Sequence, residues 1–285
     1  GVGRDPGHSD FNHEADLPTF GGKPEAHPDI DRFRIIGAVT LEDPYEALQG
    51  KVGRNVAIRA DEGEHFHLGA ITRLQRLKTD RLDIVWVHDV AQDFYGDEWL
   101  GMFESARKGA FQTLDRLRDE GVIKAWGLGV NRVEPIELLL ALDGPRPDGF
   151  LLAGRYTLLD HDRALQRVMP AVAERGLSIV VGGPYSSGAL VGGPNFEYAP
   201  ATPAILAKVA RIKAIADRHG VSMKAAGLQF SLANPAVAAV IPGASRPSRI
   251  AEDRAALREN IPADFWRELR EAGLVNPAAP LPAVK

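Results

Sequence analysis

Leu82-Asp-Ile-Val-Trp-Val-His-Asp89 is an apolar run of strand length closed by an imidazole and a carboxylate. A helically spaced set follows it: Phe103, Ala106, Ala110, Phe111, Leu114 and Leu117, ended by Gly121. Then comes a second apolar run, Ile123-Lys-Ala-Trp-Gly-Leu-Gly-Val130. Apolar residues three and four apart line one face of a helix, whereas a short and almost uniformly apolar run suits a strand covered on both faces. Strand, helix and strand in this order make a βαβ unit with parallel strands.

The same alternation extends outward. Upstream, Leu68, Ile71, Leu74 and Leu77 share one helical face before Thr79-Asp80. Downstream, a helix near Pro135 to Leu142 precedes the strand Gly149-Phe-Leu-Leu-Ala153, and one from Leu165 to Glu174 precedes Leu177-Ser-Ile-Val-Val181. After a loop rich in Gly and Pro come helices over about Pro203 to Arg218 and Ser222 to Leu232, then the strand Val237-Ala-Ala-Val-Ile241. The class is α/β. A doubly wound sheet and a (β/α)8 barrel both satisfy this pattern. The barrel is favoured by the polar and turn residues that close the strands, since a barrel carries its reactive groups there. These are His88-Asp89, Asn131, Arg155-Tyr156, Gly182-Gly183-Pro184 and Gly243-Ala-Ser-Arg246. No Gly-x-Gly-x-x-Gly follows the first recognisable strand, which counts against a dinucleotide fold of the doubly wound kind.

The chain has 285 residues, the length of a single barrel domain over 1–285. Residues 66–258 follow the barrel pattern, 259–285 read as a C-terminal helix and tail, and 1–65 diverge. At about 31 residues per βα unit, three strands and two helices need roughly 80 residues before the helix near Leu68, more than are available. An incomplete or irregular first pair of units is therefore expected. Arg34-Ile-Ile-Gly-Ala-Val-Thr-Leu41 and Asn55-Val-Ala-Ile-Arg59 are the strand candidates there.

Composition narrows the function. A formal charge of −4 provides no general basic surface, so the expected partner is a small molecule rather than nucleic acid or an anionic membrane. The chain has no cysteine, which excludes disulfides, thiolate metal sites and a cysteine nucleophile. No apolar run approaches the length of a membrane span, and Gly1-Val-Gly-Arg-Asp-Pro-Gly-His8 lacks the apolar core of a signal peptide, so a cytoplasmic protein is expected. His65-Phe-His67, with His8, His13 and Glu62 or Glu64, has metal-compatible residue types, but no spacing fixes a third ligand and no metal is expected.

Leu74-Gln-Arg-Leu-Lys-Thr-Asp-Arg-Leu-Asp-Ile-Val-Trp-Val-His-Asp89 resembles the helix-then-strand signature of the aldo-keto reductases, whose strand ends on a catalytic histidine. Ala110 to Asn131 resembles the family's next unit. Phe150-Leu-Leu-Ala-Gly-Arg-Tyr-Thr-Leu-Leu159, Val181-Gly-Gly-Pro-Tyr-Ser-Ser-Gly-Ala-Leu190 and Val240-Ile-Pro-Gly-Ala-Ser245 are similar to the aldose 1-dehydrogenase branch, of the L-fucose or D-threo-aldose type. The resemblance covers about residues 66–258.

The resemblance implies hydride transfer between C4 of NADP or NAD and C1 of a sugar lactol, or the reverse reduction of a small aldehyde. Proton transfer at the substrate oxygen then needs a positioned acid or base. His88 takes the place of the substrate-orienting histidine, and Lys51, in Lys51-Val-Gly-Arg54, that of the lysine. A second register makes Asn55 to Arg59 the preceding strand and puts Asp61 at the lysine position. The family's Tyr-Gly has its nearest counterpart in Thr19-Phe20-Gly21, where a Phe stands for the acid; Tyr45 and Tyr95 lie in loops near the expected mouth. For the coenzyme, the resemblance assigns Asn131 to the carboxamide and Gly182, Gly183, Pro184, Ser186 and Gly188 to the phosphates. It assigns Gly243, Ser245, Arg246, Arg249 and Asp253 to the adenosine end, two arginines there favouring NADP. Asp93-Phe-Tyr-Gly-Asp-Glu-Trp99 is the expected substrate loop. The other function class to be weighed is a barrel without redox chemistry, either a binding module or a lyase or isomerase using His88.

Overall fold

The computed structural model describes residues 56–59 and 82–283, all within the compact unit Ile35–Lys285. Arg34 to Leu41, the helix near Leu68, Lys51, Asp61, Phe20, Tyr45 and the histidines at 8, 13, 65 and 67 lie outside the described residues.

Six parallel strands form one sheet: β1 (Val56–Arg59), β2 (Ile84–His88), β3 (Ala125–Val130), β4 (Gly149–Ala153), β5 (Ser178–Gly182) and, after the short antiparallel pair β6 (Asn195–Phe196) and β7 (Ala199–Pro200), β8 (Val237–Ile241). Their order is β1-β2-β3-β4-β5-β8, so each of the six pairs with the next of the six along the chain, β6 and β7 forming a separate hairpin. Right-handed crossovers taken repeatedly in one direction leave all the connecting helices on one face, which is how a barrel wall is built; a doubly wound sheet reverses direction at a switch point. The strand beside β2 is the second of the two registers considered, and its Arg59 stands opposite His88.

The helical segment between β2 and β3 is divided. α1 (Gln92–Tyr95) leads into α2 (Trp99–Lys108) and α3 (Ala110–Asp119), broken at Gly109, where φ is −110° and ψ is −84°. The apolar spacing continues across the break, so Phe103, Ala106, Phe111, Leu114 and Leu117 all reach the core. After α4 (Glu134–Ala141) and β4, a wide helical turn at Ala164–Val168 precedes α5 (Met169–Glu174). Pro170 has no N–H to give to the preceding turn, which accounts for the widening there. α6 (Pro203–His219) starts on Thr202, whose hydroxyl accepts from Ile205 N, and stops at Gly220 with φ 66°. α7 (Met223–Leu232), α8 (Pro247–Ala256) and α9 (Ala263–Glu271) complete the described helices.

The core runs between the sheet and these helices. Trp126 of β3 is fully buried and stacks on Phe111 of α3 at 5.3 Å between centroids. Close strand approach needs glycine: a Cβ on Gly127 would lie 1.8 Å from the Gly149 carbonyl oxygen.

Buried His161 clips the C-terminal segment to the loop after β4. The Asn276 N–H donates to its Nε2 at 3.1 Å, so the proton sits on Nδ1, 2.9 Å from the Thr157 carbonyl. Burial lowers the pKa of His161, the Thr157 carbonyl opposes this, and Lys208 lowers it further. The unfolded chain therefore takes up this proton first as pH falls, and stability is lost from about pH 6.5 downward until the folded ring is also protonated. The urea midpoint is expected to decline below about pH 6.5 more steeply in wild type than in His161→Gln; parallel declines would show that the ring does not contribute.

Candidate active site

Because neighbours in the sheet are neighbours in the chain, the strand ends form a row in which His88 ends β2, Asn131 follows β3, Arg155 follows β4, Gly182 ends β5 and Gly243 follows β8. The residues that close the strands in the sequence are thus brought along one edge. The imidazole of His88 is about one-third exposed, with Nδ1 2.9 Å from Asp89 Oδ2.

Arg155 organises the centre of the row. Its Nε donates to the Asn131 carbonyl at 2.7 Å, and its Nη1 pairs with Asp160 at 2.9 Å and with Glu197. Burial alone would lower its pKa, but the hydrogen bonds to Glu197 and Asp160 leave it raised. Glu197 is in turn held below the usual carboxylate range, first by its hydrogen bond from Arg155. Asn131, Arg155, Gly183, Ser186, Glu197 and Tyr198 line a cavity of about 120 Å³, to which α1 contributes Asp93.

One wall of the cavity is the β6–β7 hairpin, whose two turn residues, Glu197 and Tyr198, have φ of 50° and 65°. Such a turn normally carries Asn or Gly. Here the Arg155–Glu197 pair and a 3.1 Å hydrogen bond from Tyr198 N to Ser187 Oγ hold it. Nothing in Asn195-Phe-Glu-Tyr-Ala-Pro200 signals this turn, and sequence reasoning missed both Glu197 and Tyr198.

The loop after β5 is wound tightly. Gly183, Ser186, Ser187 and Gly188 all have positive φ, and buried Ser186 pairs its hydroxyl with Thr157 Oγ1 at 2.9 Å. Pro184 is buried, while Gly183 is exposed and bonds the Ile241 carbonyl through its N–H at 3.1 Å, tying this loop to the end of β8. Ser245 and Arg246 are exposed just before α8, and Arg249 is half-buried in its first turn. Arg246 is engaged with Ser248 and Glu252. Buried Asp253 accepts from Tyr185 OH at 2.7 Å and from Lys224 Nζ at 3.0 Å. Burial first, then this carboxylate, push the Tyr185 phenol pKa up. The Tyr185–Asp253–Lys224 connection, like Arg155–Glu197, is long in sequence and went unread there.

The row fits a dinucleotide. A Cβ on Gly183 or Gly243 would meet nothing within 4 Å, so both backbones stand open to an approaching group, and the N-terminus of α8 with two arginines suits phosphate. Among the described residues no group of three His, Asp or Glu side chains is placed to hold a metal, and no helix is long and apolar enough to cross a membrane.

Residues 69–273 match the aldo/keto reductase family. Pyridoxal 4-dehydrogenase of Microbacterium luteolum is 35% identical over 210 residues, 71% of this chain and 60% of that one. D-threo-aldose 1-dehydrogenase of a Pseudomonas species is 33% identical over 206 residues, 70% of this chain and 59% of that one. The match thus spans about 60% of the length of these curated relatives. Among solved structures, the apo form of the aldo-keto reductase AKR11C1 from Bacillus halodurans superposes with a TM-score of 0.52 at 21% identity, over 88% of this chain and 83% of that one. The fold is accordingly the (β/α)8 barrel, with β1 to β5 and β8 as wall strands in sequence order.

Proposed function

Since the chain belongs to the aldo/keto reductase family, we propose that it is an NAD(P)-dependent oxidoreductase that moves a hydride between nicotinamide and an aldose lactol or small aldehyde. The observation that carries this reading is the row of strand ends running from His88 through Asn131 and the Gly182–Gly188 loop to Ser245 and Arg249 on one edge of the sheet.

Bound there, the nicotinamide nucleotide supplies the carbon that accepts or gives the hydride. Asn131 binds its carboxamide, and Gly182, Gly183, Pro184, Ser186 and Gly188 enclose the phosphates through open backbone and hydroxyl groups. Gly243, Ser245, Arg246 and Arg249 take the adenosine end, where two guanidiniums at a helix N-terminus favour NADP. Asp253 supports that end by fixing Tyr185 and Lys224. β1 follows the register that leaves Asp61 rather than Lys51 at the family's lysine position, so no role is proposed for Lys51. The relatives named for pyridoxal and for an aldose support a small polar substrate.

Incubation of the full chain with L-fucose or pyridoxal is expected to reduce NADP⁺, and NAD⁺ more slowly. Failure to reduce either coenzyme with either substrate would overturn the reading and leave a barrel without redox chemistry.

A further inference from the structure

We infer that Lys224 decides the choice between NADP and NAD without touching the coenzyme: it holds the carboxylates of Glu252 and Asp253, so that Arg246 is released to the 2′-phosphate that NADP carries and NAD lacks. The inference rests on the oxidoreductase reading and adds to it the residue behind the coenzyme preference.

Lys224 stands where its own helix does not favour it. It is the second residue of α7, whose N-cap is Ser222, and that end of a helix carries partial positive charge, which suits an acid rather than a lysine. Tertiary partners account for it. Its Nζ lies 2.7 Å from Glu252 Oε2 and 3.0 Å from Asp253 Oδ1, both on α8. It also sits 5.9 Å from the centroid of the Tyr185 ring, whose hydroxyl donates to the same Asp253 oxygen at 2.7 Å. The ammonium is thus tied into one cluster with the loop after β5 and with α8, and buried Asp253 has it as counter-ion.

Glu252 is where this cluster meets the adenosine end. One of its oxygens takes Lys224, and the other accepts from Arg246 Nη2 at 3.3 Å. Arg246 is the N-cap residue of α8, and Arg249 in the first turn is the other guanidinium proposed for that end. Glu252 and Asp253 lie three and four residues beyond Arg249, on the same face of the helix. A phosphate at the start of α8 therefore meets two obstacles. It must draw Arg246 away from Glu252, and it must approach two carboxylates.

Lys224 lowers both. Its contact with Glu252 is the shorter of the two, and the hydrogen bond from Lys224, ahead of that from Arg246, holds Glu252 below the usual carboxylate range. When Arg246 turns to a phosphate, Glu252 keeps its ammonium. Without Lys224, both oxygens of Glu252 are free to grip Arg246 bidentately, and Asp253 is left buried without a counter-ion. A ribose 2′-hydroxyl bears no charge and takes no guanidinium from Glu252, so NAD is indifferent to the exchange.

The test is fluorescence titration of NADPH and of NADH into the full chain, as wild type, Lys224→Gln, Lys224→Arg, Glu252→Gln and the double variant Lys224→Gln with Glu252→Gln. Wild type is expected to bind NADPH the more tightly. Lys224→Gln should weaken NADPH by at least about tenfold and leave NADH within about twofold, the scale of a lost charge-assisted contact. Lys224→Arg should keep the preference. The double variant should regain it in part, because a neutral side chain no longer competes for Arg246. Glu252→Gln by itself should raise the preference for NADPH, and it reads the same competition if Lys224→Gln does not fold. A lysine that only pins α7 to α8 would weaken both coenzymes alike. Equal losses for both, no loss for either, a wild type without preference for NADPH, or a double variant as impaired as Lys224→Gln would each overturn the inference and leave the oxidoreductase reading standing. Binding of neither coenzyme by wild type would overturn both.

Discussion

His88→Ala is expected to lower kcat for aldose oxidation by about 10² to 10⁴, the range supplied by a positioned acid or base, while coenzyme affinity stays at its wild-type value. The separation of the two effects follows from the row of strand ends. His88 ends β2, whereas the groups proposed for the phosphates and adenosine follow β5 and β8, three and four strands along the sheet. The residue is half-buried at the mouth rather than packed in the core, so the substitution leaves no enclosed cavity and stability should change by less than about 1 kcal/mol. Steady-state rates with NADP⁺ and L-fucose, together with coenzyme fluorescence titration, measure both quantities. Equal rates in wild type and variant would remove His88 from the chemistry, and a matched loss of coenzyme affinity would make it a binding residue.

The largest effect on stability is expected from Trp126→Ala, about 3 to 5 kcal/mol by urea unfolding. Trp126 is fully buried and stacks on Phe111, and that ring meets Phe103 at 5.6 Å, so its removal opens a void at the centre of an aromatic cluster. The indole also has a polar function. Its Nε1 donates to Asp115 Oδ1 at 2.9 Å, and Asp115 also pairs with Arg118 at 2.7 Å and accepts from Arg146 N. The Trp126 backbone N–H donates to Asp148 at 3.0 Å, which any residue at this position would preserve. Trp126→Phe keeps much of the packing and loses only the indole hydrogen bond, so a smaller cost of about 1 to 2 kcal/mol is expected. Equal costs for the two variants would show that packing at this position matters less than the bond to Asp115.

The wall of the barrel was legible because it is written in local periodicity. β4 and β8 occupy the spans that the apolar runs marked, and His88, Asn131 and Gly182 stand at the strand ends where the polar residues had placed them. The doubly wound alternative could be set aside only by strand order, a long-range property that no single window contains. The helix that the spacing joined from Phe103 to Leu117 is two helices, because Gly109 breaks the backbone without disturbing which side chains face inward. The pairs that shape the site were invisible for a different reason. Arg155 reaches Glu197 across 42 residues, and Tyr185 reaches Asp253 across 68, and neither spacing carries a local signal. The Glu197-Tyr198 turn lacks the residues that usually announce such a turn, since tertiary contacts supply its stability. The Asp89 turn was hidden similarly: the His-Asp pair was evident, but not the positive φ that brings the two side chains together.

Direct transfer of hydrogen from substrate to coenzyme is the most immediate measure of the proposed activity. With L-fucose deuterated at C1 and NADP⁺, the expected result is a deuterium on C4 of the nicotinamide of the NADPH formed and no label in the solvent. Label retained in the sugar with no NADPH formed, or released to water as a base-catalysed isomerase would release it, would contradict the oxidoreductase reading.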